Sequence, residues 1–218
     1  PDDCPAACDD GFCTHSEVAS TCPEDCPAVC PDGSCTHLET ELTCPADCTE
    51  VCGDGVCSPG ESTSTCAEDC CADTVHSGDF TVGWRTPLTR LEGVTEVTGS
   101  LVISNVSIAN VDSLACLQTV GGRLRINDTE VTNLDGLNNL VDVGTDLQIT
   151  SNARLFDLSG FDSLLSVGGD LRITHNNIET LSGFTALEVV GDELFIDRNH
   201  FLTEIDGFDS LISVQDIW

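Results

Sequence analysis

Apolar and polar positions recur along the second half of the chain with a nearly constant period. Leu101, Leu124, Leu147, Leu171 and Leu194 follow one another at intervals of 23 or 24 residues, and each opens a Leu-x-Ile alternation. A period of two predicts a short strand with one buried face. Residues 78–82 and 215–217 repeat part of the pattern on either side. The sequence therefore predicts seven rungs.

Three further apolar series share this period, and each marks another inward-facing side of the coil. Their members are Val111, Leu134, Leu158, Leu181 and Ile205; Leu114, Leu137, Phe161, Phe184 and Phe208; and Leu117, Leu140, Leu164, Leu187 and Leu211. One coil cannot bury its own apolar residues, whereas stacked coils share a continuous core. Residues 71–218 are therefore predicted to form an all-β solenoid. The chain stops inside the seventh rung, and we expect the solenoid to be truncated there.

Residues 1–70 follow a different pattern, a cysteine-rich unit repeated every 22 residues. Copies occupy residues 8–26, 30–48 and 52–70, and residues 1–4 match the tail of an upstream copy. Only seven large apolar side chains serve residues 1–71. Because so few cannot form a core, cross-links must hold this part together. The sequence predicts a disulfide-rich, loop-dominated domain over residues 1–70, followed by the solenoid.

The cysteine spacing favours disulfides over zinc. Zinc sites favour pairs spaced C-x2-C, and none occurs among the 15 cysteines. The repeats use Cys8, Cys13, Cys22, Cys26, Cys30, Cys35, Cys44, Cys48, Cys52, Cys57, Cys66 and Cys70. Of the other three, Cys4 would pair with the upstream repeat, and Cys71 and Cys116 can pair with each other. Connectivity within a unit stays open. Disulfides indicate an oxidising, extracellular or cell-surface location.

The charge of the chain excludes one class of partner. Asp and Glu number 38 against 7 Lys and Arg, a formal net charge of −31. Nucleic acid binding needs a basic surface that this chain lacks. No apolar run approaches the roughly 18 residues of a membrane span. The expected partners are a protein or glycan ligand, or further copies of this chain.

Three carboxylates recur in every cysteine-rich copy. They are Asp10, Glu17 and Asp25; Asp32, Glu39 and Asp47; and Asp54, Glu61 and Asp69. Residues 1–71 contain no Lys or Arg that could offset their repulsion, and Ca²⁺ accepts about six to eight oxygen ligands. The pattern indicates one Ca²⁺ per repeat. The alternative is that Asp-Gly forms tight turns and the acids are a solvated surface.

Cations gather in one place on the solenoid. The outward strand positions form the column Thr81, Val102, Arg125, Gln148, Arg172 and Phe195, with Arg123 beside it. Two interpretations are open. Arg123, Arg125, Gln148, Arg172 and Phe195 could form a binding face, or the arginines could simply balance surface charge.

Residues 167–196, VGGDLRITHNNIETLSGFTALEVVGDELFI, resemble the receptor L domain, the leucine-rich right-handed β-helix of growth factor and insulin receptor ectodomains. The resemblance covers about residues 71–218. It implies that Cys71 closes onto Cys116, which lies one coil later than in the receptor pattern. Family members bind, adhere or hold shape. The N-terminal units resemble short cysteine-rich repeats of secreted bacterial proteins and, less closely, the calcium-binding Lin-Notch repeat.

Catalysis is not expected. The histidines are scattered, no Gly-x-Ser-x-Gly occurs, and the cysteines are committed to disulfides. The sequence favours a non-enzymatic secreted or cell-surface protein, a calcium-stabilised structural, adhesive or ligand-binding ectodomain. The alternatives are a protomer of an extracellular filament joined head-to-tail and, more remotely, a fragment of a secreted hydrolase.

Overall fold

The computed structural model describes residues 70–71 and 74–218. All nine carboxylates of the calcium hypothesis lie outside the described residues, and so do the cysteines from Cys4 to Cys66. The calcium sites and the disulfides within the repeats therefore stay predictions.

A parallel sheet of seven short strands forms one side of the solenoid, and we call it the long sheet. Its strands are Phe80–Thr81, Leu101–Val106, Leu124–Thr129, Leu147–Thr150, Leu171–Thr174, Glu193–Asp197 and Asp216–Ile217. The register pairs each leading leucine with the leucine of the next coil, as Leu147 with Leu171. The rung strands predicted from the Leu-x-Ile alternation are confirmed, and the coils make about six turns.

A second parallel sheet, which the sequence did not predict, runs alongside. Its six strands are Thr74–His76, Val94–Val97, Thr119–Val120, Asp142–Val143, Ser166–Val167 and Val189–Val190. Most of these strands have only two residues, too few to show an alternation. Thr180–Leu181 pairs with Glu204–Ile205 in a third, two-stranded sheet.

Short 3₁₀ turns complete the first coils. They span Leu88–Leu91, Asp112–Leu114, Asp135–Leu137 and Ser159–Phe161. The described part of the chain is thus an all-β parallel solenoid with almost no helix. No helix within residues 74–218 is long and apolar enough to cross a membrane.

The predicted inward series form the core, except in the last coil. Val111, Leu134, Leu158 and Leu181 are fully buried, and the leading leucines are buried as well. Ile205, the last member of the first series, is instead 55 % exposed, and Ile212 beside it is 80 % exposed. Burial at each level requires a coil on both sides, and no described coil covers this one.

Asparagine side chains join successive coils where the strands of the long sheet end. The Nδ2 groups of Asn152, Asn176 and Asn199 donate to the carbonyls of Ile126, Ile149 and Ile173, at 3.1, 2.9 and 2.8 Å. Their Oδ1 atoms accept backbone N–H groups from the preceding coil, as Asn176 accepts from Asn152. Because these amides are buried and paired with backbone, they serve the fold.

The backbone adopts a left-handed conformation once per coil, at the end of the long-sheet strand or directly after it. Asn105, Asp128, Ser151, His175 and Arg198 have φ between 52° and 60°. Non-glycine residues seldom adopt this conformation, and Asn and Asp adopt it most readily. The repeated bend redirects each coil from the long sheet towards the next side.

Cys71 and Cys116 form a disulfide, with Cα atoms 5.3 Å apart. Cys70 is also disulfide-bonded. The Cys71–Cys116 disulfide joins the beginning of the solenoid to a later coil, as the resemblance to receptor L domains implied.

Candidate functional site

The long sheet aligns the predicted outward residues in one column. The register pairs Thr81 with Val102, Val102 with Arg125, Arg125 with Gln148, Gln148 with Arg172 and Arg172 with Phe195. Parallel strands lie about 4.8 Å apart, so each side chain of the column is the neighbour of the next. We call this surface, with Arg123 beside it, the outer face.

Two of its arginines are neutralised by carboxylates that lie in the long-sheet strands or directly before them. Arg123 donates from Nε and Nη2 to Asp146 at 2.9 and 2.7 Å. Arg172 donates to Asp170 at 2.9 Å and to Glu193 at 3.2 Å. For these two arginines the structure supports the charge-balance interpretation, because each has an acid partner.

Burial raises the pKa of the Asp170 carboxyl, but hydrogen bonds from Arg172 and from the backbone N–H of Glu193 lower it by more. The net pKa lies below the usual value. The hydrogen bond to Asp170 in turn raises the pKa of Arg172. Both groups are therefore charged across the physiological range.

Asp146 and Asp170, which pair with these arginines, also accept hydrogen bonds from backbone N–H groups of the next coil. Asp170 accepts the N–H of Glu193 at 3.1 Å, and Asp146 accepts the N–H of Asp170 at 3.3 Å. Asp79 does the same for Ser100 at 2.7 Å. Acids just before the strands thus serve the fold, a duty that spacing alone did not reveal.

Arg125 differs from the other two arginines of the outer face. Its Nη2 donates to the side-chain oxygen of Asn127 at 3.0 Å, and among the described residues no carboxylate pairs with it. Its Nε is buried without a hydrogen-bond partner, and so is the hydroxyl of Ser104. Ser104 pairs in register with Asn127. A buried donor without an acceptor costs roughly 1–3 kcal/mol, and neither the Arg125 Nε nor the Ser104 hydroxyl has a protein partner among the described residues.

An aromatic ring lies at the other end of the column. The Arg172 guanidinium lies 5.5 Å from the centroid of the Phe195 ring. The outer face thus combines a cation without an acid partner, amide and hydroxyl groups, and an aromatic surface. Such a set can hydrogen-bond and stack on a ligand, whereas it contains no paired base and nucleophile for catalysis.

No metal site accompanies this face. Across residues 70–71 and 74–218, no three histidine, cysteine or carboxylate side chains are grouped so that they could hold a metal ion. The calcium sites that the sequence predicts fall in the cysteine-rich repeats, outside the described residues.

Comparison of the chain with protein-family models, with curated proteins and with solved structures gives no match.

Proposed function

We propose that this chain is part of a non-enzymatic extracellular or cell-surface protein whose solenoid binds a protein or glycan through the outer face. One observation carries the proposal. Among the described residues no carboxylate pairs with Arg125, which lies in the middle of an ordered, mixed column on a chain whose net charge is −31. A cation that only balanced charge would pair with one of the many carboxylates.

The Cys71–Cys116 disulfide supports the location, because disulfides persist mainly in oxidising compartments. The likeness to receptor L domains, including a right-handed coil, is part of the same proposal. It rests on the Leu-x-Ile rungs and the closing disulfide.

The experiment measures adhesion of the labelled chain to the surface of the cells that produce it. Arg125→Ala and Phe195→Ala should weaken adhesion about tenfold, since aromatic and arginine side chains dominate binding energies. The matched control is Arg154→Ala, an exposed arginine outside the long sheet. Equal adhesion by all three variants and the unaltered chain would refute the outer face as a binding site.

We further propose that the cysteine-rich repeats each bind Ca²⁺ through their three recurrent carboxylates. Calorimetry should find about three sites, one per repeat, and Asp54→Asn with Glu61→Gln should remove one. A chain whose heat signal and melting temperature ignore millimolar calcium would contradict this proposal and leave the outer face unaffected.

A protomer of an extracellular filament is the second candidate. It is supported by the apolar side chains of the last described coil, of which Ile212 is 80 % and Trp218 67 % exposed. Exposed apolar patches of this kind favour association. Electron microscopy of the native particle distinguishes the two, because a monomeric particle would exclude the filament.

A further inference from the structure

A tight turn at the start of the solenoid presents the most exposed large apolar side chain of the described residues. Trp84 is 86 % exposed and occupies the tip of the turn over residues 83–86, which we call the Trp84 turn. Arg85 is the other tip residue. Its guanidinium lies 4.2 Å from the centroid of the indole, so the two side chains form a cation–π pair.

The turn is rigid. Gly83 and Thr86 exchange two backbone hydrogen bonds of 3.0 Å. The Thr86 hydroxyl donates to the carbonyl of Thr81 at 2.6 Å, and the N–H of Val82 donates to Val102 in the next coil at 2.8 Å. Pro87 follows directly and fixes its own φ at −64°. A fixed aromatic loses little conformational entropy when it binds, so such anchors give affinity at low cost.

We infer that the Trp84 turn binds an uncharged saccharide. With 86 % of the side chain exposed and Arg85 over one face of the ring, the opposite face is open to a ligand. The face of an indole is electron-rich and attracts the C–H groups along one side of a pyranose ring. The guanidinium beside it has several N–H groups that can donate to sugar hydroxyls.

The surroundings of Trp84 favour a sugar over a protein partner. A stable protein interface buries about 800 Å² on each side around an apolar centre. Apart from Pro87, the exposed residues near Trp84 in the chain are instead polar: Thr81, Arg85, Thr89 and Arg90. One aromatic ring among hydroxyls and guanidinium groups suits a single saccharide ring.

Charge favours a neutral sugar over an acidic one. The chain carries a formal net charge of −31, and such a field repels anions over distances longer than one contact. Arg85 and Arg90 have no ion-pair partner among the described residues, but two exposed cations cannot offset that repulsion. A ligand without charge avoids it.

The Trp84 turn adjoins the Thr81 end of the outer face, but the residues tested there, Arg125 and Phe195, differ from those tested here, Trp84 and Arg85. Either proposal can therefore fail without the other. Trp84 and Trp218 are the two tryptophans of the chain. In Trp218→Phe, the fluorescence therefore reports on the turn alone. The probes are cellohexaose, chitohexaose and maltohexaose, added to millimolar concentration. We expect a saturable change in Trp84 emission with at least one of them.

Calorimetry with the responding probe then assigns the residues. Trp84→Ala should weaken binding at least about tenfold, and Arg85→Gln should weaken it several-fold. Trp84→Phe should recover part of the affinity because the ring is restored. Trp218→Phe should bind as the unaltered chain does, and so should Arg154→Ala, whose exposed arginine belongs to neither the Trp84 turn nor the outer face.

Three results would overturn the inference. They are no response to any of the three probes, binding that survives Trp84→Ala, and binding that responds only to an acidic polysaccharide such as hyaluronan. Because Trp84 is so exposed, its substitution should leave the melting temperature unchanged, and this serves as the folding control.

Discussion

The rings of Phe161 and Phe184 lie 5.2 Å apart with 5° between their planes, one coil above the other. Phe208 continues the stack, 5.4 Å from Phe184. Stacked coils place the same position at the same depth, so a single aromatic position becomes a column through the core. The three stacked rings therefore join three successive coils through the core.

Removing the middle ring should therefore destabilise the solenoid strongly. We expect Phe184→Ala to lower the free energy of unfolding by about 3–5 kcal/mol, from lost burial and the cavity left between two rings. Urea denaturation followed by circular dichroism measures it. Phe156→Ala is the control, since Phe156 is 52 % exposed and its loss should cost less than about 0.5 kcal/mol. Equal effects of both substitutions would contradict the stacking argument.

Successive coils approach so closely at Gly160 that the position has no room for a Cβ atom. A Cβ on Gly160 would collide with the backbone carbonyl of Leu134 in the preceding coil. Gly160→Ala should cost about 3 kcal/mol, because backbone must shift to admit the methyl group. Gly83→Ala is the matched change, since its Cβ would meet only the Thr86 hydroxyl at 3.6 Å. Thermal unfolding of both variants tests this, and a stable Gly160→Ala would show that the coils can move apart.

The left-handed bends predict a residue-specific pattern. Ser151 is exposed with φ of 60°, so its conformation rather than its contacts limits substitution. Ser151→Val should destabilise by about 1 kcal/mol because branched residues resist this conformation, whereas Ser151→Asn should be neutral. Thr174→Val, on an extended strand, is the control. If Ser151→Val proved harmless in denaturant titration, the bend would be less constrained than the structure indicates.

Asp170 should make stability depend on acid pH. Its pKa is lowered in the folded state, so its contribution is present above the unfolded pKa of about 3.9. The contribution is lost as pH falls through the lower folded value. At neutral pH Asp170→Asn should cost about 1 kcal/mol, and this difference from the unaltered chain should shrink as the pH falls through the lowered folded-state pKa of Asp170. Unfolding in urea at several pH values measures it. The control is Asp209→Asn at an exposed carboxyl, which should change the free energy of unfolding at neutral pH by less than about 0.5 kcal/mol.

The disulfide should stabilise the first coils. Cys71 and Cys116 are separated by 45 positions, and closing a loop of that length is worth about 4 kcal/mol. The double variant Cys71→Ala with Cys116→Ala should lose roughly this amount without disturbing the cysteine-rich repeats. Either single variant should lose nearly as much. Hydrogen exchange should place the loss in residues 74–120, and unchanged protection there would argue against a stabilising role.

The long sheet and the inward series could be derived from sequence, and the second sheet could not. Leu171-Arg172-Ile173 alternates over enough residues to reveal a strand, whereas Ser166–Val167 is too short to do so. In the sequence, the only sign of the second sheet is that several of its strands end in a valine followed by a glycine, as at Val167-Gly168. A pair of residues becomes a strand only when the neighbouring coils supply its hydrogen bonds.

The sequence by itself determined the repeat, the inward residues and the outward column, because every coil must meet the same packing requirement at the same position. The tertiary structure alone decided which cations are neutralised. Spacing makes Arg123, Arg125 and Arg172 look equivalent, yet within the described part of the chain only Arg123 and Arg172 pair with a carboxylate. The structure also decided that the Trp84 side chain is exposed to solvent at a hydrogen-bonded turn. Ion pairing and exposure depend on distances across coils and on side-chain direction, which no period along the chain specifies.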